Sequence, residues 1–599
     1  MKLRRVPWLF CSAVLACYDG AGSESTGGSG EGEGSGEGEG EGSGEGEGSS
    51  VDDTGDLPIP DVPRSCEGFD AQDISAPTAT IGGADCNEAA IRSAVEAGGT
   101  VVIDCPEPVQ FTAQMTIRND TVIDGSGTTV LDGGGVTRLL FKVPGPSVWL
   151  QNLTITGGQA PNANGNAALD PNRWADWPGG AVLAQCHDDS VAVGGGVYGK
   201  NFTCTDSATG ESTRNPNDGS ILDTGTGGCL YSFTCTFHCD ECTFTGNRAT
   251  NGGAFGTLGG KMQVTNSTCA NNEARYDSSS NDNQGFGGCF YQDGTETAPG
   301  EDELNYTHFC GNAFSDNDAD HAGGAVQYFY RQATHTSFEF RSNLCQGNTA
   351  GGGPEFAQGG CLYVYVDPTT KIPWAPDVGP DTFVVTANAF LDNTAIDLGG
   401  GAALYNIWDT ATRFDNNLFT GNRVQTSNQA MGGGGALGLV GTYFDLEQNT
   451  FVRNVANNWN GGIILGAGGV ALRNNLFFEN SAPNTMGGPA VASEHVNYQL
   501  DELDDGMGTG FLVFASGGNL YMPSATPSGE PRPSPGGAVL DVDPQLGELV
   551  TDDTFPPYLP LESASPAVDA GMPLESVEVD MRGRDRSDPP DIGAFELGG

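Results

Sequence analysis

Asn388-Ala-Phe390-Leu-Asp-Asn393-Thr-Ala395, Asn449-Thr-Phe451-Val-Arg-Asn454-Val-Ala456 and Asn475-Leu-Phe477-Phe-Glu-Asn480-Ser-Ala482 are three copies of one phrase, Asn-x-Phe-x-x-Asn-x-Ala. Weaker copies lie at Phe244…Asn247, Phe314…Asn317 and Phe419…Asn422. A second phrase alternates with the first, a glycine pair before a small or apolar residue. It reads Gly252-Gly253-Ala254, Gly287-Gly288-Cys289, Gly323-Gly324-Ala325, Gly359-Gly360-Cys361, Gly434-Gly435-Ala436 and Gly461-Gly462-Ile463. Self-similarity at intervals of roughly 25–45 residues marks a solenoid, in which each unit buries its apolar face only against its neighbours. The apolar residues come in short bursts such as Leu362-Tyr363-Val364-Tyr365-Val366, bounded by Gly, Asn and Asp, and never hold a helical period long enough for a helix. The units are therefore strands, and the fold class is all-β: a single-stranded parallel β-helix.

Each phrase has a role in such a coil. The Phe is expected to point inward and stack on the Phe of the next coil. The Asn is expected to take the left-handed backbone angles of a tight turn and to bond the same Asn one coil away. The glycine pair turns a corner that other residues turn only at a cost. Variation in spacing is assigned to loops, for example around residues 277–283 and 368–380.

Together the two phrases resemble the polymorphic outer-membrane protein repeats, within the pectin-lyase-like right-handed β-helix superfamily. The resemblance covers most of 228–490 and implies a surface-exposed, adhesin-like rod; it implies no reaction.

Residues 1–17 read as a targeting segment, with Lys2, Arg4 and Arg5 before an apolar stretch too short to span a bilayer. The ending Val14-Leu15-Ala16-Cys17 resembles a bacterial lipobox with Cys17 as the lipidated residue, and Tyr18 after it favours the outer membrane. The alternative is an ordinary secretory signal and a secreted product. Residues 18–63 are Gly/Glu/Ser-rich, with thirteen acids and no Lys or Arg. With almost nothing apolar to bury, they read as a disordered, self-repelling tether. Residues 64–160 hold an N-terminal cap and the first coils. Cys86 to Ala97 reads as a short amphipathic capping helix with Ala90, Ile91, Ala94 and Val95 on one face. The strand phrases that follow, with Ile123-Asp124-Gly125 and Leu131-Asp132-Gly133, are similar to the opening coils of many pectin-lyase-like proteins. Residues 161–490 hold the repeat array with its insertions, and 161–227 read as long polar loops over the first coils. Residues 491–599 are assigned to last coils and a C-terminal cap. Their Asp580-Met-Arg582-Gly-Arg584-Asp-Arg586 and Pro589-Pro-Asp591-Ile-Gly-Ala-Phe595-Glu596 resemble the ending of choice-of-anchor β-helix proteins of the bacterial cell surface, and read as salt-bridged.

Composition bounds the partners. The formal charge is −52, and setting aside the thirteen acids of 18–63 leaves about −39. That argues against nucleic acid or anionic lipid, and against anionic polysaccharide unless divalent cations bridge the contact. Of 16 cysteines, Cys11 and Cys17 belong to the targeting segment. The rest are Cys66, Cys86, Cys105, Cys186, Cys204, Cys229, Cys235, Cys239, Cys242, Cys269, Cys289, Cys310, Cys345 and Cys361. An even number in an exported chain points to disulfides, with Cys86–Cys105 a plausible local pair and the other pairings open. Cys235-Thr-Phe-His238-Cys239-Asp-Glu-Cys242 has zinc-like donors, but without a second matching pair oxidation is the better reading.

Asp316-Asn-Asp318-Ala-Asp320-His321 resembles the opening of a calcium loop, with His321 where an EF-hand has Gly and Gln327 where it has Glu. Asp316, Asp318 and Asp320 are thus weak calcium candidates, and with His321 and Arg331 they are the nearest approach to a catalytic cluster. The leading functional reading is a cell-surface lipoprotein serving as a structural, adhesive or glycan-binding rod, with extracellular polysaccharide or surface proteins as partners. The alternative is a calcium-assisted polysaccharide lyase or glycoside hydrolase.

Overall fold

The computed structural model describes residues 66–597, except 161–177, 189–190, 193, 210–212, 215–220, 224, 276–283, 295–304, 332–335, 354–356, 368–381, 408–411, 426–431, 442, 458–459, 466–468, 483–511, 523–538, 541 and 552–554. The lipobox, the tether and the loop insertions at 277–283 and 368–380 therefore lie outside the described residues.

The chain from 79 to 540 winds into a parallel β-helix. One coil shows the plan: Phe255–Leu258 enters sheet B, Met262–Thr265 and Thr268–Ala270 form two rows of sheet A, and Glu273–Ala274 forms sheet C. Repetition builds sheets of 26, 11 and 7 strands, and every pairing between coils is parallel and in register apart from local bulges. Along a strand the side chains alternate, so Phe237, Met262, Phe338 and Phe383 fill the core while their neighbours face out. The helix Glu88–Ala97 lies against the first coils, with Asn87 capping it and Ile91 and Val95 fully buried.

The corners explain the phrases. The first glycine of the pair is left-handed at Gly252, Gly287, Gly323 (φ 63°), Gly359 and Gly434, whereas at Gly461-Gly462 the left-handed residue is Asn460 before the pair. The second has a different reason: a Cβ on Gly324 would sit 1.9 Å from the carbonyl oxygen of Gly360, its counterpart one coil on. The asparagines form two ladders. In one, each Nδ2 donates to the Oδ1 of the next from Asn247 through Asn272, Asn317, Asn348, Asn393, Asn422 and Asn454 to Asn480. The second runs from Asn312 through Asn343, Asn388, Asn417, Asn449 and Asn475 to Asn519. Each Oδ1 also accepts a backbone N–H, as Asn348 accepts from Asn317 (3.1 Å). The left-handed angle expected of these asparagines belongs instead to the residue before each, a glycine at some corners, another asparagine at Asn271, Asn416 and Asn474, and elsewhere Asp316, Ser342, Ala387, Asp392, Gln448, Arg453 and Glu479. The corner needs one residue to turn the backbone and the next to point an amide inward and satisfy the exposed backbone groups.

The Phe of the phrase is buried and stacked where coils follow without interruption. Phe390, Phe419, Phe451 and Phe477 stand face to face at centroid distances of 4.5, 5.0 and 4.9 Å. Earlier, cysteine takes this place in alternate coils, since the register runs Cys204, Phe244, Cys269, Phe314, Cys345, Phe390. Each of these cysteines bonds the residue after the following glycine pair: Cys204–Cys229, Cys269–Cys289 and Cys345–Cys361. Where Phe holds the place, that residue shrinks to Ala254, Ala325 or Gly401. The remaining bonds are Cys66–Cys310, Cys86–Cys105, Cys186–Cys235 and Cys239–Cys242. All fourteen cysteines from Cys66 on are paired, the three thiols of the zinc-like cluster included, which fits a chain that folds in an oxidising, extracytoplasmic compartment.

Three regions differ from expectation. Within 161–227, Val182–Gln185 and Gly196–Thr205 form a regular coil rather than loops, entered at Gly179-Gly180-Ala181. Residues 66–78 run as a strap along the outside of sheet A: Gln72 bonds Gln151, Asn266 exchanges two hydrogen bonds with the backbone of Cys66, and Cys66 is bonded to Cys310. The segment 555–597 lies on the outer face of the second row of sheet A. Leu561, Ile592 and Phe595 pack on Leu476 and Leu520, and Met581 and Ala594 on Leu344 and Leu418. It is salt-bridged through Arg582–Asp580 and Arg586–Glu596, and Arg582 lies over the rings of Tyr558 and Phe595.

Candidate functional site

The residues singled out between 316 and 331 do not form one site. Asp316 occupies a left-handed corner (φ 52°). Asp318 and Asp320 leave sheet C together, and the cation between them is Arg275, at 2.7 and 3.2 Å. Burial pushes the Asp318 carboxyl above its usual range, Asp320 and Glu273 adding to this against the pull of Arg275. His321 is buried in the turn to sheet B, its Nδ1 against the carbonyl of Gln284 and its ring on Phe286. Arg331 ends the strand Val326–Arg331 of sheet B, a different face of the coil. Among the described residues no group of three or more His, Cys, Asp or Glu side chains is placed to hold a metal ion. The physical reason is the coil itself: sixteen consecutive residues turn two corners, so neighbours in sequence are distributed over different faces.

What the coils do bring together lies on the outer face of the first row of sheet A. Trp149, Tyr198, His238, Gln263, His308 and Glu339 occupy the same position in successive strands. Trp149 and Tyr198 stack at 5.2 Å, 14° from parallel. Tyr198 meets the edge of His238 at 5.6 Å. His238 Nε2 hydrogen-bonds the Tyr306 hydroxyl at 2.7 Å, and the Tyr306 and His308 rings are 5.2 Å apart. All five rings are half-buried, so they form a ribbon of ring surface along the coil axis. Burial, helped by His308, lowers His238 to about 4, and burial also lowers His308. Both imidazoles are therefore neutral near pH 7 and add ring surface without charge.

Each cation beside the ribbon is held by one or two carboxylates. Lys200 lies against Asp240 and Glu241, and Arg341 is 3.1 Å from Glu339. Farther along the same row, Arg413 pairs with Asp415, and Arg473 with Asp445 and Glu447. Burial and the neighbouring Glu447 push Asp445 up to about 6 against the pull of Arg473 and Arg413. Ser576 of the C-terminal segment reaches Glu447 with its hydroxyl and Arg413 with its carbonyl, closing this end of the row.

Sequence reasoning missed the ribbon. From Trp149 to Tyr198, His238 and Tyr306 the separations are 49, 40 and 68 residues, with His308 in the strand of Tyr306, because insertions of unequal length lie between coils, and no fixed period connects them. The usable signal was local: each stands one residue from a core position in a strand, as Trp149 does between Val148 and Leu150.

No protein-family model matches the chain, and no curated protein matches it. Among solved structures it is similar to bacteriophage CBA120 tailspike protein 3, at 12% identity and a TM-score of 0.27, over 67% of this chain and 59% of that one. The chain thus spans less than two thirds of the tailspike's length. The β-helix assignment stands on the sheets and their registers.

Proposed function

We propose that this protein is an exported, lipid-anchored binding protein of the outer membrane that holds an extended, neutral glycan along sheet A. The ribbon from Trp149 to His308 carries this reading. The stacked Trp149–Tyr198 pair and the tilted rings after it offer apolar edges and outer ring surface, against which the apolar faces of sugar rings can pack, on strands that recur about every 4.8 Å. The paired charges leave little net field along the ribbon, and the overall charge of −52 repels an anionic chain. Cys17 and the tether of 18–63 supply the anchor and the reach.

The test is affinity electrophoresis of the purified protein against neutral and acidic polysaccharides, with and without calcium. Retention by a neutral polymer is expected. Trp149→Ala combined with Tyr198→Ala should weaken it about tenfold or more, since each stacked ring contributes roughly 0.5–1.5 kcal/mol. Full retention by the double variant, or retention by acidic polymers alone, would overturn the reading. Cys17→Ser should move the protein from the membrane fraction to the soluble one.

A second reading has one observation in its favour. Asp445 at about 6 is poised as a general acid beside Asp415 and Glu447. A glycosidase reading predicts new reducing ends from one of the polysaccharides, lost in Asp445→Asn.

A further inference from the structure

Lys200 and Asp240 are partners in adjacent parallel strands, both on the outer side of sheet A. Lys200 Nζ rests directly against Asp240 Oδ2 and is 3.0 Å from a carboxylate oxygen of Glu241. The Asp240 side chain is 1% exposed and that of Lys200 11%. The other oxygen of Asp240, Oδ1, accepts hydrogen bonds from the Thr265 hydroxyl and the Asn266 amide, both 2.9 Å. The strap seals the place from outside: a Cβ on Gly68 would fall 2.0 Å from Asp240 Oδ2, and Cys66 is fixed by its bond to Cys310. The other buried lysine, Lys142, has a different setting, with its Nζ on the carbonyls of Val143 and Gln185 and the sulfur of Cys186.

An ion pair needs only two opposite charges, and burying one is costly. This arrangement holds more: an amine, a carboxyl carbon beside it, two donors fixed on one carboxyl oxygen, a second carboxylate, 29% exposed, touching the amine, and a strap that covers the Asp240 carboxyl. Those are the parts of an acyl transfer.

We propose that Lys200 and Asp240 are joined by an intramolecular isopeptide bond formed after folding, with Glu241 carrying the protons. Glu241 takes a proton from the Lys200 ammonium, and the freed Nζ attacks Asp240 Cγ. The Nζ–Cγ bond forms while the charge on Oδ1 is held by Thr265 and Asn266. Glu241 passes two of the three ammonium protons, one at a time, to Oδ2, which departs as water. The third proton stays on the amide nitrogen. One amide and one water result, with nothing oxidised or reduced. The bond ties the strand Gly196–Thr205 to the strand Thr236–Asp240, and no thiol reductant opens it.

The experiment is peptide mass spectrometry on the full exported chain, reduced, alkylated and digested. A branched peptide containing both Lys200 and Asp240 is expected, lighter than its two arms by one water, about 18 Da. Glu241→Gln should yield the two arms unjoined. So should Lys200→Arg, which keeps the cation and hence the pairing that supports the fold; circular dichroism would show the β signal retained. Separate, unmodified Lys200 and Asp240 peptides from the wild-type chain would overturn the proposal. A branched peptide persisting in Glu241→Gln would overturn the role given to Glu241.

Discussion

Between Cys204 and Cys361 the coils are closed across the core by disulfides in every second turn, whereas from Phe390 to Phe477 the same position carries an unbroken column of stacked phenyl rings. Both regions keep the asparagine ladders, the glycine pairs and the registers. They differ in one inward position and its partner after the glycine pair, which hold Cys with Cys, or Phe with Ala or Gly. Where the ring takes the space its partner must be small: a Cβ on Gly401 would already lie 3.3 Å from the Cβ of Phe390. A coil can therefore be closed by a covalent bond that restricts the unfolded chain or by a ring that fills the space itself.

The comparison breaks most visibly at Phe419, stacked on both sides. Phe419→Ala should cost about 3–5 kcal/mol through lost contact and a residual cavity, read as a fall in the urea midpoint and as faster amide exchange in the coils from 390 to 477. Removing the closure of the other region, with Cys345→Ala and Cys361→Ala together, should cost about 2–4 kcal/mol. Reductant should add nothing further at that coil and should leave the exchange rates of 390–477 unchanged.

Acidity distinguishes the two regions with opposite signs. His238, held near 4 by burial, is neutral when folded and titrates at about 6.5 when unfolded. Its contribution is present above pH 6.5 and lost as pH falls toward 4. Asp445, raised to about 6, behaves oppositely, its contribution present below about 3.8 and lost as pH rises through 6. Each swing is worth about 3 kcal/mol before solvent screening reduces it. His238→Phe should flatten the acid limb of a melting-temperature profile, and Asp445→Asn should raise the melting temperature at pH 7 more than at pH 4. The smallest effect is expected from converting one style of closure to the other. Cys269→Phe with Cys289→Ala reproduces the Phe314–Ala325 pairing next door and should change stability by no more than about 1.5 kcal/mol, with one disulfide fewer by thiol counting.

The phrases made the architecture legible because the physics that writes them is local: each corner needs its glycine, its left-handed residue and its inward amide within a few positions. The coil at 179–209 escaped because both markers of its Phe-x-x-Asn phrase were replaced, Phe by Cys204 and Asn by Ser207, though the Ser207 backbone N–H still donates to the ladder at Asn247. The left-handed residue was assigned one position late because Asn is the residue type usually found there, whereas here its amide is needed inside. The ribbon and the strap depend on coil-to-coil neighbours at irregular separations, and no window of sequence contains them. Of the acids that looked clustered at 316–320, Asp318 and Asp320 stay together around Arg275 while Asp316 turns the corner, and His321 and Arg331 fall on other parts of the coil.

The Cys66–Cys310 bond also decides where tension goes. A pull arriving from the N-terminal side at residue 66 passes through sulfur into the coil of Cys310, across a loop of 244 residues. The early coils, with their capping helix and aromatic ribbon, hang off that line of force as a covalently closed ring, so a pull arriving at Cys66 would leave the ribbon's geometry unloaded while the bond is oxidised.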